Sequence, residues 1–240
     1  MGQEHRDTLI YRSNLASVLD SLGDLAAAMD MYAKVLEARE RILGPGHPDT
    51  LSSRNNLAIV LSSLGDLAAA RDLHVQVLEA SERILGPEHP DTLTSRSNLA
   101  SVLDSLGDFA AARDICAQVL EARERILGPE HPDTLSSRSN LASVLDSLGD
   151  FAAARDMYAQ VLEARERILG PEHPDTLTSK NNLAFVLGRL DDYLAARDMY
   201  AQVLEARERI LGPEHPDTLS SRSNLAYVLD KLGDSTAVRE

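Results

Sequence analysis

The residues best suited to chemistry in this chain are its histidines, and they come at a fixed spacing. His47, His89, His131, His173 and His215 stand 42 residues apart, with His5 one step earlier. Imidazoles can build a metal centre where they converge. Here each one opens a separate segment, and neighbouring segments of a stacked helical array lie about 10 Å apart. A zinc–nitrogen bond is only about 2 Å long, so one ion cannot be shared between them. The histidines are read as loop-packing or helix-start residues. His74 and Cys116 occupy the position of Tyr32, Tyr158 and Tyr200 and are read as packed side chains. With no nucleophile elbow, glycine-rich phosphate loop or HExxH helix, neither catalysis nor a cofactor or metal is expected.

The spacing itself is the larger signal. His89-Pro90-Asp91-Thr92-Leu93 returns at His131, His173 and His215, and units 89–130 and 131–172 differ at only three positions. Such a period marks a repeat array. The expected organisation is a single array over residues 1–240, with full repeats 5–46, 47–88, 89–130, 131–172 and 173–214 and a C-terminal half repeat, 215–240.

Each repeat reads as two helices. In 131–172, Pro132 and Asp133 suit a first helical turn. Leu135, Leu141, Ala142, Leu145 and Leu148 then recur at helical spacing as one apolar face. Gly149 ends that helix and Asp150 caps the next. The second helix, roughly 19 residues and about 28 Å long, is expected to bury Phe151, Ala154, Tyr158, Val161, Leu162, Ile168 and Leu169 before Gly170-Pro171 stops it. Eleven helices are predicted, the last near 215–232. Ser235 stands where earlier repeats have Leu or an aromatic, which makes the last helix a lid. The fold class is all-α, a right-handed α-solenoid of tandem helix-turn-helix units.

Charge narrows the partners. Thirty-eight acids against 24 bases give −14, which argues against nucleic acid and against an anionic membrane surface. The lone cysteine permits no intrachain disulfide, the N-terminus lacks the apolar run of a signal peptide, and no stretch reaches the length of a membrane span. A soluble, cytoplasmic protein is expected.

The core Asn140-Leu141-Ala142, Leu145, Leu148-Gly149-Asp150 and Ala154 resembles a tetratricopeptide repeat. The longer period, with Leu-Gly-Pro-Glu-His-Pro-Asp-Thr-Leu joining the units, is similar to the kinesin light chain type, which also occurs in bacterial regulatory proteins. The resemblance covers essentially the whole chain. It implies a protein-binding array whose first helices line a concave face. Two departures separate this chain from the light-chain pattern. Paired asparagines are complete only at Asn55-Asn56 and Asn181-Asn182. A basic row (Arg12, Arg54, Arg96, Arg138, Lys180, Arg222) replaces large apolar residues and is expected to pair with acids such as Asp49 or Glu79.

Outward positions of the first helices form rows. One is Asn14, Asn56, Asn98, Asn140, Asn182 and Asn224. The next is Ser17, Ile59, Ser101, Ser143, Phe185 and Tyr227. A third contains Asp20, Asp104, Asp146 and Asp230. The resemblance implies that the asparagines hold a peptide backbone, for which an amide has both donor and acceptor; equally, they can tie neighbouring repeats together. Phe185 and Tyr227 are candidate anchors, and Asp104 and Asp146 give the groove a sign that favours neutral or basic peptides. Arg165-Glu166-Arg167 reads as a solvated face with i,i+4 pairs. Repeat 173–214 diverges most, through Lys180, Gly188, Arg189, Asp191, Asp192 and Tyr193.

The expected function is a protein–protein interaction scaffold holding an extended peptide or partner protein, not an enzyme. The alternative is a structural solenoid that self-assembles end to end, or a consensus-designed scaffold, since repeats this alike arise by duplication or by design. A monomer with weak end-to-end association is anticipated.

Overall fold

The computed structural model describes residues 5–233, which form eleven helices and no strand. The odd-numbered helices have 16 residues: α1 Arg6–Ser21, α3 Pro48–Ser63, α5 Pro90–Ser105, α7 Pro132–Ser147, α9 Pro174–Arg189 and α11 Pro216–Lys231. The even-numbered ones have 19: α2 Leu25–Leu43, α4 Leu67–Leu85, α6 Phe109–Leu127, α8 Phe151–Leu169 and α10 Tyr193–Leu211. This is the expected all-α, tandem helix-turn-helix class. Ser235 lies outside the described residues.

Local chemistry sets the boundaries. Pro132 begins α7, and His131 is its N-cap: Nδ1 accepts the Asp133 N–H at 3.2 Å. The recurring histidine is thus a helix-start residue that satisfies an otherwise unpaired backbone donor. Past the end of α7, Gly149 takes a φ of 84°, and the Asp150 carboxylate accepts the Ala153 N–H at 3.2 Å to start α8. In repeat 173–214 the glycine's place is taken by Asp191, at φ 60°. Aspartate tolerates this left-handed conformation better than most residues.

The chain divides into two compact units, residues 1–122 and 123–240. In the first, α1 to α5 pack each on the next; Ala16, Ala28, Tyr32 and Val60 form one of its cores. In the second, α7 to α11 do the same, around Ala142, Ala154, Tyr158, Leu162, Leu183 and Val186 and again around Ala184, Ala196, Tyr200 and Val228.

The apolar faces need correction at their ends. Leu135, Leu141, Ala142, Ala154, Tyr158, Val161 and Leu162 are buried as expected, and Leu145 and Phe151 are partly buried. Leu148, Ile168 and Leu169 are exposed, whereas Val144 is buried. The even helices outrun the odd ones by three residues, 19 against 16, or about 4.5 Å at the helical rise. Their last turn is left uncovered.

Polar junctions repeat as regularly as the apolar core. Arg39, Arg123, Arg165 and Arg207 each send Nη1 to a backbone oxygen and a serine hydroxyl of the next odd helix. Beside them, Arg54 pairs with Glu40, Arg96 with Glu82 at 2.6 Å, Arg138 with Glu124, Lys180 with Glu166 at 3.2 Å and Arg222 with Glu208 at 2.7 Å. From Arg54 onward the basic row therefore pairs across repeats with a glutamate 14 residues back, rather than with Asp49 or Glu79. In Arg165-Glu166-Arg167 the closest partners lie in other repeats, with Arg165 reaching Ser179, Glu166 reaching Lys180 and Arg167 reaching Glu130, while the exposed Arg167 also interacts with Glu163 four residues back.

Candidate protein-interaction face

Positions on the odd helices decide what is offered to a partner. In the first unit, Asn14, Ser17 and Asp20 of α1 line one hollow of about 340 Å³ together with Asn56 and Ile59 of α3. All three sequence rows thus contribute to it, the third through Asp20. In the second unit Asn140 is exposed, Asn182 and Asn224 are half-buried, and the two aromatics stand well out, Phe185 at 51% and Tyr227 at 60% exposure. Lys231 sits over the Tyr227 ring, 5.4 Å from its centroid.

The asparagine row is not uniform. Asn98 Nδ2 donates to Asn55 Oδ1 at 2.8 Å, and Asn224 Nδ2 to Asn181 Oδ1 at 3.0 Å. Within each unit these bridges join successive odd helices only after an Asn-Asn repeat; after Ser13 or Ser139 the next asparagine has no such bridge among the described residues. Tying of neighbours therefore holds at two positions of the row, through side chains rather than backbone. The signal was present in the paired asparagines, but the register of 43 residues was not.

The acidic row is less solvated than its spacing suggests. Asp104 and Asp146 are both half-buried. Arg189 comes within 3.8 Å of Asp146, and its guanidinium lies 4.4 Å above the Phe151 ring. Divergence in repeat 173–214 is thus largely structural: Arg189 reaches back to the preceding repeat, and the Tyr193 hydroxyl donates to Asp191 at 2.8 Å. Cys116 is buried, and that burial, with the nearby Asp104 carboxylate adding to it, pushes its thiol up to about 11. His74 is also buried; desolvation lowers its pKa, and Nδ1 has no hydrogen-bond partner among the described residues. Both are core residues, as their slot implied. No described helix is long and apolar enough to cross a membrane.

The tetratricopeptide repeat model matches residues 7–83, 64–115, 97–167, 148–208 and 175–240. The chain belongs to the tetratricopeptide repeat family. Its fold is similar to that of a kinesin light chain from Podosopora anserina with nearly identical tetratricopeptide-like repeats (26% identity, TM-score 0.70, covering 85% of this chain and 97% of that one). It also resembles BtubC (BKLC) from P. vanneervenii (22%, TM-score 0.72, 89% and 86%). A third likeness is to a Rap protein complexed with competence and sporulation factor (12%, TM-score 0.70, 96% and 71%). No curated protein sequence matches. The tetratricopeptide array is of the kinesin light chain type, a fold that typically serves as a protein-interaction scaffold.

Proposed function

We propose that this protein is a scaffold that holds an extended peptide or partner segment along the face of its odd-numbered helices. Asn14, Asn56 and Asn98 serve one unit, and Asn140, Asn182 and Asn224 the other, with Phe185 and Tyr227 as apolar anchors. The observation that carries this reading is the exposure of the two aromatics on a face whose other row positions, Ile59 apart, are mostly Ser, Asn and Asp. Large aromatics so placed are the usual energetic centres of interfaces. Asp104, Asp146 and the net charge of −14 favour a neutral or basic segment. The Rap neighbour, solved with competence and sporulation factor, agrees with a peptide partner.

The test uses peptides selected from a random library on the full chain. They are titrated against Asn140→Ala, Tyr227→Ala and, as a control on α8, Arg155→Ala. Loss of affinity in the control alone rejects the face.

A second reading rests on the likeness of the repeats, two of which (89–130 and 131–172) differ at only three positions. A second copy of this near-identical array supplies a matching apolar surface, giving end-to-end association. Light scattering over a concentration series separates the two, and a fixed monomer mass throughout rejects association.

A further inference from the structure

Ser81 stands where the other full repeats have Arg39, Arg123, Arg165 and Arg207. Each of those arginines donates from Nη1 to an aspartate backbone oxygen at 2.9–3.2 Å and to a serine Oγ at 2.7–2.9 Å. The serine in turn donates to the same backbone oxygen. Around Ser81 the acceptors are set in the same way, with Ser95 Oγ donating to Asp91 O at 2.9 Å. The guanidinium is missing. In its place lies a cavity of about 270 Å³ whose lining includes Ser81, Asp91 and Ser95, far larger than one water requires.

Three further features give this cavity a chemistry. Ser81 and Ser95 are 3% and 6% exposed, so their hydroxyls are held in a desolvated wall. Val77 and Leu51 supply apolar wall for a methylene stem, and Asp91 is the one charged residue of the lining. Gly46, also in the lining, replaces the glutamate found at Glu88, Glu130, Glu172 and Glu214, so no carboxylate side chain stands at that position. Arg83, the nearest basic residue along α4, is exposed and outside the lining. The cavity also reaches Asn56 and Asn98, two of the asparagines proposed to hold the partner.

We propose that this cavity binds an alkylguanidinium group, and that its source is an arginine side chain of the bound segment. The incoming group replaces, from another molecule, the donor that four other repeats carry within the chain. A guanidinium, planar and weakly hydrated, enters such a desolvated wall at lower cost than an ammonium, whose compact charge is strongly hydrated. The choice of a peptide as the source rests on the face reading; the guanidinium site itself does not.

The experiment titrates ¹⁵N-labelled full chain with agmatine, n-butylamine, an acetylated Gly-Ser-Arg-Ser-Gly amide and its citrulline counterpart. Ser81→Arg is the key variant, because it fills the cavity with a group the other repeats already accommodate. Agmatine is expected to give saturable shifts around Ser81 and Ser95, at least tenfold weaker in Ser81→Arg, with n-butylamine tenfold weaker than agmatine. The arginine peptide is expected to bind more tightly than the citrulline one. Absence of saturable agmatine binding, or equal binding in Ser81→Arg, overturns the site. Agmatine binding with equal affinity for the two peptides overturns the peptide source and leaves a pocket for free guanidinium compounds. The Asn140 and Tyr227 variants lie outside this cavity, so the face reading stands or falls separately.

Discussion

Asn98 donates its side-chain amide to Asn55 Oδ1 across 2.8 Å, and the same bridge returns between Asn224 and Asn181. Both follow an Asn-Asn repeat. Asn55→Ser, which copies the serine of other repeats, is expected to cost about 0.5–1.5 kcal/mol, the net worth of one hydrogen bond. Conversely, Ser139→Asn places an amide 43 residues before Asn182, the same separation as in the observed bridges, and is expected to raise stability by a similar or smaller amount. Urea unfolding measures both. A stabilisation by Asn55→Ser would show that the bridge is strained.

Burial separates two leucines of one helical repeat. Leu141 is buried, whereas Leu148, just past α7, is 41% exposed. Leu141→Ala is expected to cost about 2–5 kcal/mol, and Leu148→Ala within about 0.5 kcal/mol. Equal losses on thermal unfolding would contradict the packing described.

His74 links stability to pH. Burial lowers its folded pKa below the ordinary 6.5. The unfolded chain therefore takes up the proton first as pH falls, and the contribution of neutral His74 to stability is lost on descending below about 6.5, until the folded group also titrates. His74→Tyr, matching Tyr32, Tyr158 and Tyr200, removes that uptake. The fall in Tm between pH 7.5 and 5.5 is expected to be smaller in the variant. An equal fall in both proteins places the acid sensitivity elsewhere.

The thiol of Cys116, buried and pushed up to about 11, is expected to be protonated and shielded in the folded chain. The thiolate is the reactive form. Ellman's reagent at pH 8 should label it many times faster after urea unfolding than before. Prompt labelling of the native protein would mean that this core position opens readily.

How much of this was legible beforehand depends on the range of the interaction. His131, Pro132, Gly149 and Asp150 act on their own backbone within two or three residues, so spacing alone located the helices and their ends. The leucine and alanine pattern located most of the core for the same reason, since helical period is a local property. It failed at Ile168 and Leu169, whose exposure follows from where the neighbouring helix ends, and at Leu148, which lies in the turn just past α7.

Longer-range facts required the tertiary structure. The arginine row was assigned the wrong acids, since Arg54 meets Glu40 only when α3 stacks on α2. Asn182 and Asn98 hold the same place in the repeat, yet only Asn98 has an amide opposite it. Likewise, the cavity beside Ser81 exists only once three helices are placed around it. The sequence by itself determined the repeat, its helices and their caps, because those rest on contacts within one repeat. Which side chains bond, pair or leave a hollow was decided by stacking, which brings together residues 14 and 43 positions apart.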